Sequence, residues 1–393
     1  MDRRRNPYAP GAGTRPHELA GRDKVIEDIE IALDRVRLGR SPPHHMLVGL
    51  RGVGKTVLLD ELNVRAETHG FACLKLEVPE GRSLPAVLVP GLRSALLRLD
   101  RGQAAMSAAK RALSGLRNFA SAFKLSYGEF EATVKPAEAG IADSGDLDND
   151  LADLIDLVGQ AAIEQETAFV FFIDELQYVP ERDLASLVTA LHRAYQRRRP
   201  VTIVGAGLPQ LVGLFGRAKS YSERMFVFEQ IGPLDSAAAA DALLVPARDE
   251  GVEIAPGAIA EILRITERYP YFLQQWGSQA WNVADDSPIT VADVTAATPA
   301  AIAALDASFF RVRFDRLTPR ERQYLRAMAA LGDGISRSAD VAARLRKATT
   351  ACGPVRDSLI RKGMLYSPEY GVIDFTVPLF GDFMRRAMAE QLD

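Results

Sequence analysis

The sequence predicts an α/β chain: a parallel sheet flanked by helices, then an all-helical region, then a small module of three helices and a hairpin. Three observations predict it. A glycine-rich turn, Gly49 to Thr56, sits between the apolar run Met46-Leu47-Val48 and the helical stretch Val57 to Asn63. Further on, five apolar residues, Phe169 to Ile173, end in Asp174-Glu175. Near the end, Thr318-Pro319-Arg320-Glu321 opens a helix with a capping box and a proline at its first position.

The glycine-rich turn fits G-x-x-x-x-G-K-[ST] in full, in the strand-to-helix context that the pattern needs. Gly49, Gly52 and Gly54 let the backbone close around phosphate oxygens, and the N–H groups and helix start supply positive potential. Gly49, Leu50, Arg51, Gly52, Val53, Gly54, Lys55, Thr56 and Val57 are therefore expected to bind ATP. Lys55 would reach the β- and γ-phosphates, and the Thr56 hydroxyl would ligate Mg²⁺. Phe169 to Ile173 reads as a central buried strand. Ligands bind at the C-terminal ends of such strands. Asp174 is thus placed to hold Mg²⁺, and Glu175 to polarise the attacking water. A helix from about Arg182 to Arg197 follows, ending in Arg197-Arg198-Arg199 near the negative end of its dipole. A solvated helix end and a DNA contact are both open readings of these arginines. A third strand, Val201 to Val204, ends in Gly205-Ala206-Gly207-Leu208-Pro209. That end carries no polar side chain, and Thr202 falls too early in the strand.

Residues 101–125 carry five Lys/Arg and no acid. Met106, Ala109, Leu113, Leu116, Ala120 and Phe123 are spaced three and four apart, an amphipathic helix. It either docks on the core with Lys110, Arg117 and Lys124 as a solvated edge, or meets a partner helix or nucleic acid. Phe123 to Val134 reads as a strand or a hairpin centred on Gly128. Residues 136–150, acidic and rich in Gly and Ala, read as a mobile loop. From Pro233 to about Leu305 the chain is Ala-rich and helical in period, with breaks at Pro246, Pro256, Pro270 and Pro288. That is a helical lid, with Trp276 and Trp281 packed inside it. The last module has helices through about Leu331, from Ser338 to Leu345, and from Thr350 to Lys362. Two strands follow, Met364 to Tyr366 and Val372 to Thr376. Three helices and a hairpin make a winged helix-turn-helix. Its third helix, irregular in its first turn because of Pro354, would carry Arg356, Arg361 and Lys362 toward duplex DNA. Arg344, Arg346 and Lys347 would lie nearby for phosphates. The same module serves protein partners or packs on its own chain.

Composition bounds the rest. A chain of 393 residues makes two or three domains, and 47% hydrophobic with 25% charged residues excludes wholesale disorder. A net charge of −3 excludes a polycation that coats nucleic acid. Residues 310–393 nevertheless carry +5, leaving −8 on the other 309, which hints at a separate task for that end. A charge of +5 is mild for a DNA binder. Two cysteines, Cys73 and Cys352, exclude a disulfide scaffold and fit a reducing, cytoplasmic setting. No apolar run approaches the roughly 18 residues that a membrane helix needs. The basic start MDRRRNPYAPGAG leads into Pro and Gly with no apolar stretch, so it reads as an arm and not a signal peptide.

The phosphate loop, the FVFFIDE strand and the GAGLP strand end together resemble the AAA+ ATPases. His17 to Asp23 resembles the Leu-x-Gly-Arg-Glu/Asp segment that precedes the first helix of the replication-initiator-like group. The C-terminal third resembles the winged helix that group carries. The chain is thus similar to the initiator-like AAA+ P-loop ATPases of bacteria and archaea, neighbours of the STAND signalling ATPases, over nearly all its length except about residues 100–146. The resemblance implies a P-loop NTPase core at 1–232 with an insert at about 100–146, a helical lid at 233–305 and a winged helix at 306–393. It implies that the segment before Gly21-Arg22, with Pro7 and Tyr8, lines an adenine pocket. It implies that Pro270 of the lid touches the nucleotide. It also implies that Arg224, in the stretch from Lys219, is an arginine finger that completes a neighbour's site; a surface or lid-facing ion pair is the other reading. There are two departures. The signalling relatives' Gly-x-Pro is Arg268-Tyr269-Pro270 here, so Arg268 is either a second phosphate sensor or structural. The position after the third strand, polar in the family, is glycine.

The reading is a Mg²⁺-dependent ATPase with slow, switch-like turnover, catalysed by Lys55, Glu175 and Arg224. It would engage duplex DNA or a protein partner through the winged helix, with no membrane, and the homo-oligomeric state stays open. The alternatives are a STAND-like regulatory ATPase with a protein partner and a nucleotide-stabilised scaffold with little turnover.

Overall fold

A computed structural model of the chain describes residues 1–11, 13–100, 107–125 and 140–389. It divides into two compact units. One is Arg22–Gly49 with Lys55–Ile231; the other is Met1–Gly21, Leu50–Gly54 and Gly232–Asp393.

The first unit runs α1 (Asp23–Arg37), β1 (His44–Val48), α2 (Lys55–Thr68), β2 (Ala72–Glu77), α3 (Leu84–Leu99), α4 (Ala108–Ala122) and α5 (Leu147–Glu164). It continues with β3 (Phe169–Asp174), α6 (Glu181–Gln196), β4 (Val201–Gly207), α7 (Gln210–Ala218), α8 (Ser222–Met225) and β5 (Phe226–Gln230). The five strands are parallel in the order β2-β3-β4-β1-β5. β1, β3 and β4 are buried along their whole length, which is why they read as unbroken apolar runs. Because β4 lies between β1 and β3, its glycine-rich end falls between the two sequence motifs. α4 buries the expected Ala109, Leu113, Leu116 and Ala120 together with Phe119. Gly115 faces α5 so closely that a Cβ would lie 2.4 Å from Leu157. The helix therefore docks on the core.

Met106, residues 126–134 of the strand or hairpin expected over Phe123–Val134, and residues 136–139 lie outside the described residues; Phe123 itself corrects that expectation, closing α4 as its C-cap. The expected loop at 136–150 is corrected at its end: 147–150 form the first turn of α5. Asp146 caps that helix, and acids are favoured at a helix start. Buried Asp150 accepts from Ser144 N–H at 3.0 Å and Gly145 N–H at 2.8 Å, tying down the residues before it. Two of the three arginines after α6 are held within this unit. Arg199 and Arg197 lie 2.7 and 3.2 Å from the Asp156 carboxylate.

The second unit holds α9 (Ser236–Asp249), α10 (Pro256–Thr266), α11 (Pro270–Val283) and α12 (Val291–Ala304). A π-helical turn (Leu305–Phe310) leads into α13 (Arg311–Asp315) and α14 (Pro319–Ala329). Then come β6 (Ser336–Arg337), α15 (Ser338–Arg344), α16 (Thr349–Arg361), β7 (Leu365–Tyr366), β8 (Val372–Phe375) and α17 (Phe380–Ala387). Pro256 and Pro270 start helices, as proline at the first position should. Pro246 corrects the expected break: it rides inside α9, and Pro354 likewise sits in an uninterrupted α16. Each removes one backbone bond without ending the helix. Trp276 and Trp281 are fully buried. β6 joins the expected hairpin in an antiparallel sheet ordered β6-β8-β7, so α14 to α16 and this sheet form a winged-helix-like module. The Thr318–Glu321 capping box is present. The sequence reading named neither β6 nor α17.

The N-terminal arm packs within this unit. Asn6 donates to the Ser278 carbonyl at 3.0 Å, and Trp281 Nε1 donates to the Asp2 carbonyl at 3.0 Å. The Tyr8 ring fills the space where a Gly277 Cβ would be, 2.8 Å away. No helix among the described residues is long and apolar enough to cross a membrane.

Candidate nucleotide site

β1 ends at Val48, and the Gly49 N–H donates to the Gly207 carbonyl at 3.2 Å, so the turn leaves the sheet beside the end of β4. Gly52 and Gly54 take φ of +84° and +92°, left-handed values at which a Cβ is strained. α2 begins at Lys55, directly after the turn, which places the positive end of a helix dipole there. Lys55 and Val53 are buried, Leu50, Arg51 and Val57 half-buried. The Thr56 hydroxyl donates to Asp174 Oδ2 at 2.7 Å, joining residues 118 positions apart. The other Asp174 oxygen accepts from the Glu175 N–H at 2.8 Å. Burial holds the Asp174 carboxyl above its ordinary value, against the Thr56 bond and with the Glu175 charge adding to it. Glu77 pairs in register with Asp174 and is raised by burial and then by the Asp174 and Glu175 charges.

Three carboxylates at adjacent strand ends repel one another, and a cation there relieves the repulsion. Among the described residues no group of three or more His, Cys, Asp or Glu could hold a metal ion by itself. One hydroxyl and one carboxylate are hard oxygen donors, the set that Mg²⁺ uses when substrate phosphates complete its shell. The residues present fit Mg²⁺ held together with a nucleotide.

Glu175 has φ 55° and ψ 36°, a left-handed residue that turns the chain sharply into the 3-10 helix Leu176–Tyr178. Its carboxylate accepts from Gln177 Nε2. Gln177 Oε1 accepts from the Leu208 N–H, at the end of β4, at 3.0 Å. A side chain at the glycines there would crowd its neighbours. A Cβ at Gly205 would lie 2.3 Å from Leu176 Cδ1, and one at Gly207 would lie 2.8 Å from Gln177 Oε1. Thr202 is buried with its hydroxyl 2.8 Å from His44 Nδ1, so it does not reach the strand end, as expected. Gln177 was not singled out from the sequence. The available signal was a Gln two residues past the acid pair combined with glycine on the neighbouring strand.

In the other unit, the Tyr269 hydroxyl donates to the Arg51 carbonyl, and the Tyr271 N–H donates to the Gly52 carbonyl at 3.3 Å. Pro270, between them, is thus anchored next to the loop. Arg268 has φ +60°, so the position held by glycine in the signalling relatives keeps a left-handed backbone here. Its side chain is exposed, with Nη1 3.4 Å from Ser236 Oγ. Arg313 lies over the Phe309 ring at 3.8 Å; burial, with the Arg51 charge adding to it, lowers its pKa to about 10. Tyr8, expected beside the adenine, lies in the second unit. It is buried in packing, and its hydroxyl donates to the Leu243 carbonyl at 2.6 Å. Arg224 is exposed on α8, at the N-terminal end of β5. In a parallel sheet that edge is opposite the carboxylates, so the chain does not bring Arg224 to its own Lys55, Thr56 and Asp174.

Two family models match the chain: the AAA ATPase domain at residues 18–204 and the domain of unknown function DUF8462 at residues 307–384. No curated protein matches it. Among solved structures, a Walker-type ATPase of Pyrococcus abyssi is 17% identical, with a TM-score of 0.59 over 95% of this chain and 97% of that one. The Orc1 protein of Aeropyrum pernix in complex with DNA is 15% identical, with a TM-score of 0.46 over 94% of each chain. Cdc6p of Pyrobaculum aerophilum is 14% identical, with a TM-score of 0.45 over 100% of this chain and 99% of that one. The first likeness shows the fold; the other two overlap too loosely to carry an argument. With the phosphate-loop pattern, the parallel sheet and the family match in hand, residues 18–204 form an AAA ATPase domain and the chain that carries it is an ATPase.

Proposed function

We propose that this ATPase is a slow nucleotide-dependent switch of the initiator-like kind. Its parts are an ATPase core at 1–232, a lid at 233–305 and an output module at 306–393. The observation that carries the reading is the 2.7 Å bond from Thr56 to Asp174, which sets the phosphate turn and the acidic strand end at one point. The turn from Gly49 to Val57 binds the ATP phosphates, and Pro270 contacts the nucleotide. Lys55 neutralises charge on the β- and γ-phosphates, and Glu175 orients the attacking water. Thr56 and Asp174 hold Mg²⁺, which when bound supplies charge neutralisation at the same oxygens. Arg224 acts on the site of a second copy.

The output partner is duplex DNA met through Arg356 and Arg361 of α16, with Arg344, Arg346 and Lys347 on phosphates. One observation favours a protein partner instead. Lys362, expected to face DNA, is bonded to Glu321 at 2.8 Å and to the Arg316 carbonyl at 3.0 Å. The test is steady-state ATP hydrolysis with and without duplex DNA, beside Glu175→Gln. A rate raised by DNA, with a variant that binds ATP and stalls, supports a DNA-coupled switch. A rate indifferent to every duplex moves the output to protein. A rate negligible in every mixture, with ATP still raising the melting temperature, leaves the scaffold reading.

A further inference from the structure

We infer that Gln177 is a positioning residue for Glu175 and does the work that a polar side chain at the end of β4 would otherwise do. The inference rests on the reading of Glu175 as the water-orienting group. Three observations carry it. The Gln177 amide bonds on both sides, donating to the Glu175 carboxylate and accepting from the Leu208 N–H at 3.0 Å. A backbone N–H only donates and a carboxylate only accepts, so these neighbours fix which end of the amide faces which. The side chain must therefore offer one acceptor and one donor, which glutamine does and glutamate does not. Finally, a Cβ at Gly207 would lie 2.8 Å from the amide oxygen, so a side chain there would have to displace the Gln177 amide. The left-handed turn at Glu175 sets the two side chains on one side of the 3-10 helix. The Glu175 carboxylate is held through an amide that is itself held by β4. Its position is then tied to the strand lying between the phosphate turn and the acidic strand.

The test compares wild type, Glu175→Gln, Gln177→Ala, Gln177→Glu, Gly207→Ser and the double variant Gln177→Ala/Gly207→Ser. ATP turnover, ATP affinity and melting temperature are measured for each. Gln177→Ala and Gln177→Glu should lose roughly 10–100-fold in kcat with KM and ATP affinity within about twofold of wild type. Gln177→Glu matters most, because it keeps the shape and the Leu208 bond and replaces the donor to Glu175 with a repelling carboxylate. Gly207→Ser should be impaired alone and should restore turnover in the Gln177→Ala background, where the space is open. Unchanged kcat in both Gln177 variants, or a fall in melting temperature and ATP affinity that accounts for the loss, overturns the inference and leaves Glu175 untouched. A Glu175→Gln enzyme that turns over like wild type overturns the reading of Glu175 and this inference with it.

Discussion

Gly52 shows how much a single position is asked to do. Its φ of +84° is left-handed, and an added Cβ would meet the Tyr269 ring at 3.0 Å. Gly52→Ala should destabilise the fold by about 1–3 kcal/mol and weaken ATP binding, read by thermal melting and by nucleotide titration. A variant that melts and binds ATP like wild type would refute the strain. Lys55, Thr56 and Asp174 were legible because fixed spacing in one turn and one strand end encodes them. Gln177 was not, since its second partner, Leu208, is brought near by strand pairing and by nothing local. The packing of Tyr8 was illegible for the same reason: Gly277 and Leu243 are its neighbours only in the folded chain.

At the level of an element, the start of α14 was readable from Thr318-Pro319-Arg320-Glu321, and the capping box is there. Unreadable was the rest of what Glu321 holds. Its carboxylate also accepts from Ser358 and Lys362 of α16 and its end, each at 2.8 Å. Burial by itself would raise this carboxyl. The bonds from Lys362, Thr318 and Ser358 overcome it and push the pKa down to about 2, from an ordinary 4.5. A depressed carboxyl stabilises the fold above the unfolded value and stops doing so as pH falls through the folded one. The C-terminal module should therefore hold its full stability above pH 4.5 and lose on the order of 3 kcal/mol on the way to pH 2. Glu321→Gln should be less stable at neutral pH and flatter across that window, measured by urea unfolding at several pH values. A variant with the wild-type acid slope would show that Glu321 is not the group responsible.

For the whole molecule, the second unit gathers Met1–Gly21, Leu50–Gly54 and Gly232–Asp393 from three places in the chain. Composition and proline breaks read limits along the sequence, and such limits place the arm with the residues that follow it. The contacts that hold the arm run to α9 and α11, 235 positions from Tyr8 to Leu243 and 279 from Asp2 to Trp281. The prediction at this scale is that Tyr8→Ala, far from the C-terminal residues in sequence, destabilises them. The expected loss is about 3–5 kcal/mol, as for other buried aromatics cut to alanine. Near-UV signal from Trp276 and Trp281 during unfolding would report it, and an unchanged transition would show that the arm is dispensable.

The bonds from Tyr269 and Tyr271 land on the carbonyl oxygens of Arg51 and Gly52. Each of those oxygens shares a peptide plane with the next residue's amide proton, on Gly52 and on Val53. Drawing electron density toward the oxygen sharpens the acidity of that proton and strengthens the bond it can give to an anion. The start of α11 thus grips the back of the peptide groups whose fronts would meet phosphate in the proposed site. Electron drift through two amide planes would make anion capture by the turn, as proposed, and the hold of this helix on it mutually reinforcing.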